Sequence, residues 1–158
     1  MAEPLATLCT SCGLCCDGTL FTQVPVTEVE AGALRARGLE LRAGDRPALP
    51  QRCAALVGTC CTIYDERPAG CRRYVCMLYA ALAEGEVGLD EALGLVAATQ
   101  GSLAALAAAL PPGAGAVMQR ARAELRAGTL SPAGQRALGD VARQLGRHFD
   151  REAGRGSG

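Results

Sequence analysis

Nine cysteines, all between positions 9 and 76, constrain this 158-residue chain more than any other feature. The first four follow the pattern C-x2-C-x2-C-C, at Cys9, Cys12, Cys15 and Cys16. Two-residue spacing lets a tight turn aim two sulfurs at one metal, while backbone N–H groups offset the thiolate charge. Gly13 follows Cys12 and can adopt the positive φ that such a turn often needs. The pattern therefore predicts a metal centre held by thiolates.

The adjacent residues Cys15 and Cys16 bear on the kind of centre. Neighbouring side chains tend to diverge, so the pair is not expected to share one mononuclear ion. Either one of them is not a ligand, or they serve two metals or two atoms of one cluster. Three cysteines at this spacing can wrap one face of an iron–sulfur cluster, and pairs of thiolates can equally complete a tetrahedral zinc site. The expected cofactor is an iron–sulfur cluster or Zn²⁺, and the adjacent fourth cysteine favours a polynuclear centre.

The start of the chain and the cysteine count favour metal binding over disulfides. The first residues, MAEPLATL, lack a basic segment and an apolar segment, so no signal peptide is expected and the protein is predicted to be cytoplasmic. In a reducing compartment, a dense cysteine pattern is more often metal-binding than disulfide-bonded. An odd number of cysteines also fits a disulfide framework poorly.

The cysteine-rich half is expected to contain little regular structure. Residues 9–18 are predicted to form a loop because they are rich in Cys and Gly. A capping box, Thr27 with Glu30 three residues later, predicts a helix that stops near Gly38. Residues 39–63 are interrupted by Gly and Pro and are predicted to be irregular.

Helices are expected to dominate the rest of the chain. Pro68 can open a helix that carries Cys71, Tyr74 and Leu78 on adjacent turns. A break near Gly101 is expected to divide the Ala-rich stretch into two helices. Two more helices are predicted, one ending at Gly128 and one opening at Ser131-Pro132. The last of them places four apolar residues on one face: Leu138, Val141, Leu145 and Phe149.

These patterns predict a mainly α fold with a small irregular Cys-rich metal-binding head and a C-terminal helical tail. The cysteine-cluster region is expected over residues 5–80 and an Ala-rich helical region over residues 81–153. Residues 154–158, GRGSG, are expected to be a disordered end.

Composition argues against two classes of partner. Formal net charge is zero and aromatic residues make up 3% of the chain, so no nucleic-acid partner is expected. The uncharged run Leu93 to Leu110 is as long as a short membrane span, but its Ala-rich composition favours buried helices, so no membrane partner is expected. Arg143, Arg147 and Arg151 recur at four-residue spacing, as either a solvated face or a surface for a protein partner on the C-terminal helices.

The order and context of the cysteines resemble a known family. The resemblance rests on the segments CTSCGLCC, Cys53, GTCCTIY, RPAGCR and YVC, within about residues 9–79. They are similar to the CxxCxxCC (YkgJ-type) cysteine-cluster family, and the resemblance implies chelation of zinc or iron rather than a particular reaction. Eight cysteines match the family pattern and are the metal ligands that it implies: Cys9, Cys12, Cys15, Cys16, Cys53, Cys61, Cys71 and Cys76. Cys60 is the extra one, because Cys61 directly precedes the matching T-I-Y.

Residues near the second cysteine set are candidates for contact with the cofactor. Arg67 and Arg72 flank Cys71, and their guanidinium groups would stabilise the net negative charge that four thiolates leave on a divalent metal. Capture of an anionic substrate is their alternative role. Tyr64 is expected to hydrogen-bond a sulfur or to pack in the core. His148, the single histidine, lies far along the chain from the cysteines and is expected to be a surface or packing residue.

Three classes of function fit these features. The first is a redox or binding module built on an iron–sulfur cluster. The second is a structural zinc module whose helical tail binds a partner, since zinc has no redox chemistry. The third is a metal-dependent protein-modifying enzyme, because a related cysteine cluster occurs in flagellin lysine methylases. The sequence gives the enzyme little support, because it has no phosphate-binding loop, no G-x-S-x-G and no His near any cysteine.

Overall fold

The computed structural model describes residues 2–150 and shows the mainly α fold that the sequence predicts, with helices filling its C-terminal part. The disordered end predicted at residues 154–158 lies outside the described residues. The helices are α1 (Ala2–Cys12), α2 (Glu28–Ala36), α3 (Ala69–Arg73), α4 (Met77–Ala83), α5 (Leu89–Ala108), α6 (Val117–Ala127) and α7 (Pro132–Gln144). A 3₁₀ turn covers Tyr64–Glu66, and α7 continues into a π-helical turn over Leu145–Phe149.

Four short strands form two antiparallel pairs in the cysteine-rich half. The first pair joins β1 (Gln23–Pro25) to β2 (Ala48–Pro50), and the second joins β3 (Leu56–Val57) to β4 (Cys60–Cys61). Three of the four strands lie in the stretch 39–63, which is otherwise irregular, as the Gly and Pro residues predict.

Helix caps lie where the sequence places them. At the start of α2, the Glu30 N–H donates to the Thr27 hydroxyl at 3.2 Å and the Thr27 N–H donates to the Glu30 carboxylate at 2.8 Å, which confirms the capping box. The second oxygen of Glu30 accepts a bond from the Ala69 N–H at 2.7 Å, so the same carboxylate joins α2 to α3. The helix ends at Ala36, and Gly38 follows with a positive φ.

The last two helices also confirm their sequence signals. Gly128 ends α6 at a φ of 73°, and the Ser131 hydroxyl caps α7. Three residues of the predicted apolar face, Val141, Leu145 and Phe149, are each at most 1% exposed, and the fourth, Leu138, is partly buried against the helical core.

Three sequence-based expectations are wrong. The loop expected over residues 9–18 begins four residues later, because α1 ends only at Cys12 and is followed by Gly13, which has a φ of 71°. The break expected near Gly101 does not occur, since α5 is continuous and its buried stripe outweighs the modest cost of one glycine. The helix expected to carry Cys71, Tyr74 and Leu78 is two short helices, and Tyr74 lies between them.

Two hydrophobic clusters form the interior. The helical core consists of buried side chains from α1, α4, α5, α6, α7 and the turns next to them, and includes Leu8, Leu14 and Leu78. The loop core lies between α2, β2 and the segment up to Ile63, and includes Leu49. The helical core therefore combines residues from both sides of position 80, and the boundary placed there stays a prediction.

Helix α5 is long and apolar enough to cross a membrane by length and composition, a test that a core helix of a soluble protein also passes. In this fold its buried residues form one stripe against the helical core. They are Ala92, Val96, Thr99, Leu103 and Leu106.

Candidate metal centre

Eight of the nine cysteines line one cavity, which we call the cysteine cavity. Its volume is ≈ 250 Å³, and its walls contain residues of both hydrophobic cores. The lining cysteines are Cys9, Cys12, Cys15, Cys16, Cys53, Cys61, Cys71 and Cys76. Cys60 is exposed and lies outside the lining. The structure thus brings together every cysteine that the sequence proposes as a ligand and separates the one it sets aside.

Different elements deliver these cysteines to the cavity. Helix α1 carries the first two, and a turn at Gly13 carries the adjacent pair. A Cβ on Gly13 would stand 3.2 Å from the Thr59 Cα, so the β3–β4 turn packs directly on this glycine. Cys61 lies in β4, Cys71 in α3, and Cys76 caps α4.

Backbone N–H groups point at several of the sulfurs, as the two-residue spacing predicts. The Tyr79 N–H donates to the Cys76 sulfur at 3.3 Å, and the Leu78 N–H also contributes there. Three more sulfurs accept from the N–H group two residues further along the chain: Cys12 from Leu14, Cys53 from Ala55 and Cys61 from Ile63. Such N–H groups offset the negative charge of a thiolate, so these turns suit anionic metal-bound sulfur.

Two glutamines hold the backbone of the first cysteine set. The Gln100 side-chain amide, on α5, donates to the carbonyl oxygens of Ser11 and Cys12, at 3.0 Å each. The Gln51 side chain is buried, and its amide is oriented so that both its nitrogen and its oxygen find suitable partners. In this orientation the nitrogen donates to the carbonyls of Cys15 and Cys16 at 3.1 and 2.9 Å. Sequence reasoning missed both. For Gln100 the sequence contains one signal, its position inside the Ala-rich run, because a polar side chain in such a helix needs a hydrogen-bond partner.

Burial disfavours ionisation of most of these thiols. Desolvation raises the pKa of Cys12 to about 12 and that of Cys71 to about 11, and it also raises the pKa of Cys15. A hydrogen bond with Cys16 lowers the pKa of the Cys61 thiol. Crowded thiols of this kind become stable as thiolates when a cation shares the space.

The side chains of Tyr64 and Arg67 lie together in the lining of the cavity. The Arg67 guanidinium lies 3.6 Å from the centre of the Tyr64 ring, and its Nε donates to the Tyr64 carbonyl at 2.7 Å. Burial raises the pKa of the Cys9 thiol, and a hydrogen bond with Tyr64 and the charge of Arg67 oppose that rise. Arg72 is exposed and outside the lining, so the structure does not bring it to the cavity. His148 lies elsewhere, beside Arg143 and Arg147.

The donor set fits a metal that prefers sulfur. Cys, His, Asp and Glu are the side chains that commonly bind metals, and of these the described lining of the cavity contains cysteine alone. All nine cysteines are free thiols. Thiolate ligands select zinc and iron–sulfur clusters over hard cations such as Mg²⁺. Across residues 2–150, no three Cys, His, Asp or Glu side chains are close enough together to coordinate one ion. The cysteines therefore surround the cavity without converging on one point.

Comparison with known proteins gives one match. Residues 8–91 match the CxxCxxCC family model, described as "Putative zinc- or iron-chelating domain". This segment covers more than half of the chain and contains all nine cysteines. Neither a curated protein nor a solved structure matches the chain significantly.

Proposed function

The chain belongs to the CxxCxxCC family of zinc- or iron-chelating domains, and from this we propose that its eight cavity cysteines hold the metal as thiolates. The centre is an iron–sulfur cluster or zinc, and it makes the protein a redox or binding module. The observation that carries the proposal is that these eight cysteines, and not the ninth, line one cavity.

The chemistry of the wall supports thiolate ligation. Four sulfurs already hydrogen-bond N–H groups, and the cavity contains one guanidinium, Arg67, among its described lining residues. One positive side chain does not neutralise eight thiolates, so a metal cation or cluster supplies the remaining positive charge. An iron–sulfur centre would supply electron transfer, whereas zinc would supply structural cross-linking only.

The first test measures metal and acid-labile sulfide in the full chain purified without oxygen, together with its visible spectrum. Iron with equivalent sulfide and a broad visible band indicates a redox-capable cluster. Zinc without colour indicates a structural module, and the C-terminal helices then become the surface to test for a protein partner. The matched variants are Cys12→Ser, which is expected to lower metal content, and Cys60→Ser, which is expected to leave it unchanged. A chain without metal, or one whose metal survives replacement of Cys9, Cys12 and Cys15 together, contradicts the proposal.

The structural zinc module is supported by one further observation. Gln100 ties the backbone at Cys12 to α5, so the metal region is fixed to the tail helices by hydrogen bonds as well as by the helical core. A zinc-filled head would therefore orient the exposed faces of the tail helices toward a partner.

A further inference from the structure

The cysteine cavity has two different walls. Cys12 and Cys76 pack against the helical core, while Cys16 and Cys61 pack against the loop core, in which Cys53 is buried. The thiols around the cavity therefore fall into two groups, one packed on the helical core and one packed on the loop core.

The N–H···S hydrogen bonds follow the same division. On the helical-core wall, Cys12 and Cys76 have such a bond, and on the loop-core wall, Cys53 and Cys61 have one. Each wall thus contains two sulfurs whose negative charge is already partly offset by backbone N–H groups.

Packing leaves three thiols to assign, Cys9, Cys15 and Cys71. Cys9 lies one helical turn before Cys12 on α1, so the two share one side of that helix. The charge of Cys9 acts on both Cys12 and Cys76. Cys15 directly precedes Cys16, which packs on the loop core, and the side chains of adjacent residues diverge; Cys76 and Cys12 are the neighbours whose charges act most strongly on Cys15. Cys16 differs from Cys15, since it hydrogen-bonds Cys61, which lies on the same loop-core wall.

Cys71 is assigned in the same way. Its helix α3 is joined to α2, which encloses the loop core, by the Ala69 N–H bond to Glu30 at 2.7 Å, and Cys53 and Cys61 are the neighbours whose charges act on it most strongly. The backbone N–H of Cys53 also donates to the carbonyl of Cys16 at 2.7 Å, which fixes two members of this wall to each other.

We propose that the cavity holds two metal centres, each bound by its own four cysteines; this rests on the proposed thiolate metal binding. The helix-side set is Cys9, Cys12, Cys15 and Cys76. The loop-side set is Cys16, Cys53, Cys61 and Cys71. Four thiolates complete a tetrahedral zinc site or bind one iron–sulfur cluster, so each set is sufficient for a closed centre. The adjacent cysteines 15 and 16 then face different centres.

Arg67 lies where it can serve both sets. Its charge acts on Cys9 of the helix-side set and on Cys61 and Cys71 of the loop-side set. A single guanidinium between two anionic centres would reduce their mutual repulsion, which explains its position in the wall better than capture of a substrate.

The test uses ¹¹³Cd²⁺ as the probe on the metal-free, reduced full chain. Wild-type protein is expected to show two ¹¹³Cd resonances from four-sulfur sites. The variant Cys12→Ser/Cys76→Ser is expected to lose or shift one resonance, and Cys53→Ser/Cys61→Ser the other. A single wild-type resonance, or loss of both resonances in either variant that still folds by near-UV circular dichroism, overturns the division.

A titration of the wild-type chain with Co²⁺ keeps the test independent of variant folding. The thiolate-to-cobalt absorption is expected to saturate at two equivalents per chain, and saturation at one equivalent overturns the two-centre proposal while leaving thiolate binding intact. Absence of any thiolate-to-cobalt band overturns both this inference and the proposed function.

Discussion

The two walls of the cysteine cavity are built in different ways. Among the described residues, the helical core contains fourteen buried hydrophobic side chains, whereas the loop core contains eight. The first is enclosed by helices of up to twenty residues. The second is enclosed by one nine-residue helix and strand pairs two or three residues long.

This difference indicates which side depends on metal. Two-stranded ribbons are marginal in water by themselves, and stability is lowest where few apolar contacts are buried. We therefore expect the helix-side cysteines to be held by a fold that is stable without metal, and the loop-side cysteines to lie in a segment that metal binding stabilises. A small hydrophobic core is commonly supplemented by cross-links, and thiolate–metal bonds are such cross-links.

Metal removal is expected to have the largest effect and to separate the two walls. Chelation under reducing conditions should abolish hydrogen-exchange protection in β1–β4 and α2 while the amides of α5, α6 and α7 stay protected. The physical reason is that binding energy at a metal site is folding energy for the segment that the site organises. Exchange measured by mass spectrometry on the full chain, with and without metal, checks this. Uniform loss of protection, or none, would contradict the comparison.

A matched pair of core substitutions sharpens the same contrast. Leu106→Ala in the helical core and Leu49→Ala in the loop core each remove a side chain that is at most 2% exposed. Both are expected to cost about 2–5 kcal/mol in the metal-loaded protein, because each leaves a cavity. In metal-free protein, Leu106→Ala should keep its cost and Leu49→Ala should lose most of it. Chemical denaturation of the wild type and both variants, each with and without metal, tests this, and equal costs without metal would count against it.

Gln100→Leu tests how the helical core positions the cysteines. The carbonyls of Ser11 and Cys12 would lose their side-chain donor, at a cost of about 1–3 kcal/mol in stability. Metal affinity is also expected to fall about 10–100-fold, as it does when groups that orient metal ligands are removed. Gln135→Leu is the control, since its amide donates only to the Leu130 carbonyl, away from the cavity. Destabilisation without weaker metal binding would make Gln100 merely structural.

Local signals predicted much of the fold and the composition of the site. The capping box at Thr27, the stop at Gly128 and the cap at Ser131 all depend on a few neighbouring residues, and all are confirmed. The errors lie where distant packing decides. Burial of one face keeps α5 helical through Gly101, and α1 continues through Cys12 because it packs on the helical core.

The division of the cysteines into two walls could not be read from spacing alone. Cys15 and Cys16 are neighbours in the chain, and only the tertiary fold shows which partners each one approaches. Gln51 was also beyond sequence reasoning, because its role depends on a carbonyl pair more than thirty residues away.

The smallest effect is expected at Cys60, and its neighbour provides the matched contrast. In β4 successive side chains point to opposite faces, so Cys61 opposes the buried Leu56 while Cys60 opposes Val57, which is 67% exposed. Cys60→Ser should therefore change stability by no more than about 0.5 kcal/mol, as for other surface substitutions.

In metal-loaded protein, iodoacetamide should label Cys60 alone, since metal-bound thiolates are shielded. Cys61→Ser should release the loop-side metal and expose its former partners to labelling. Labelling of several cysteines in the intact protein would show that fewer than eight thiols bind metal.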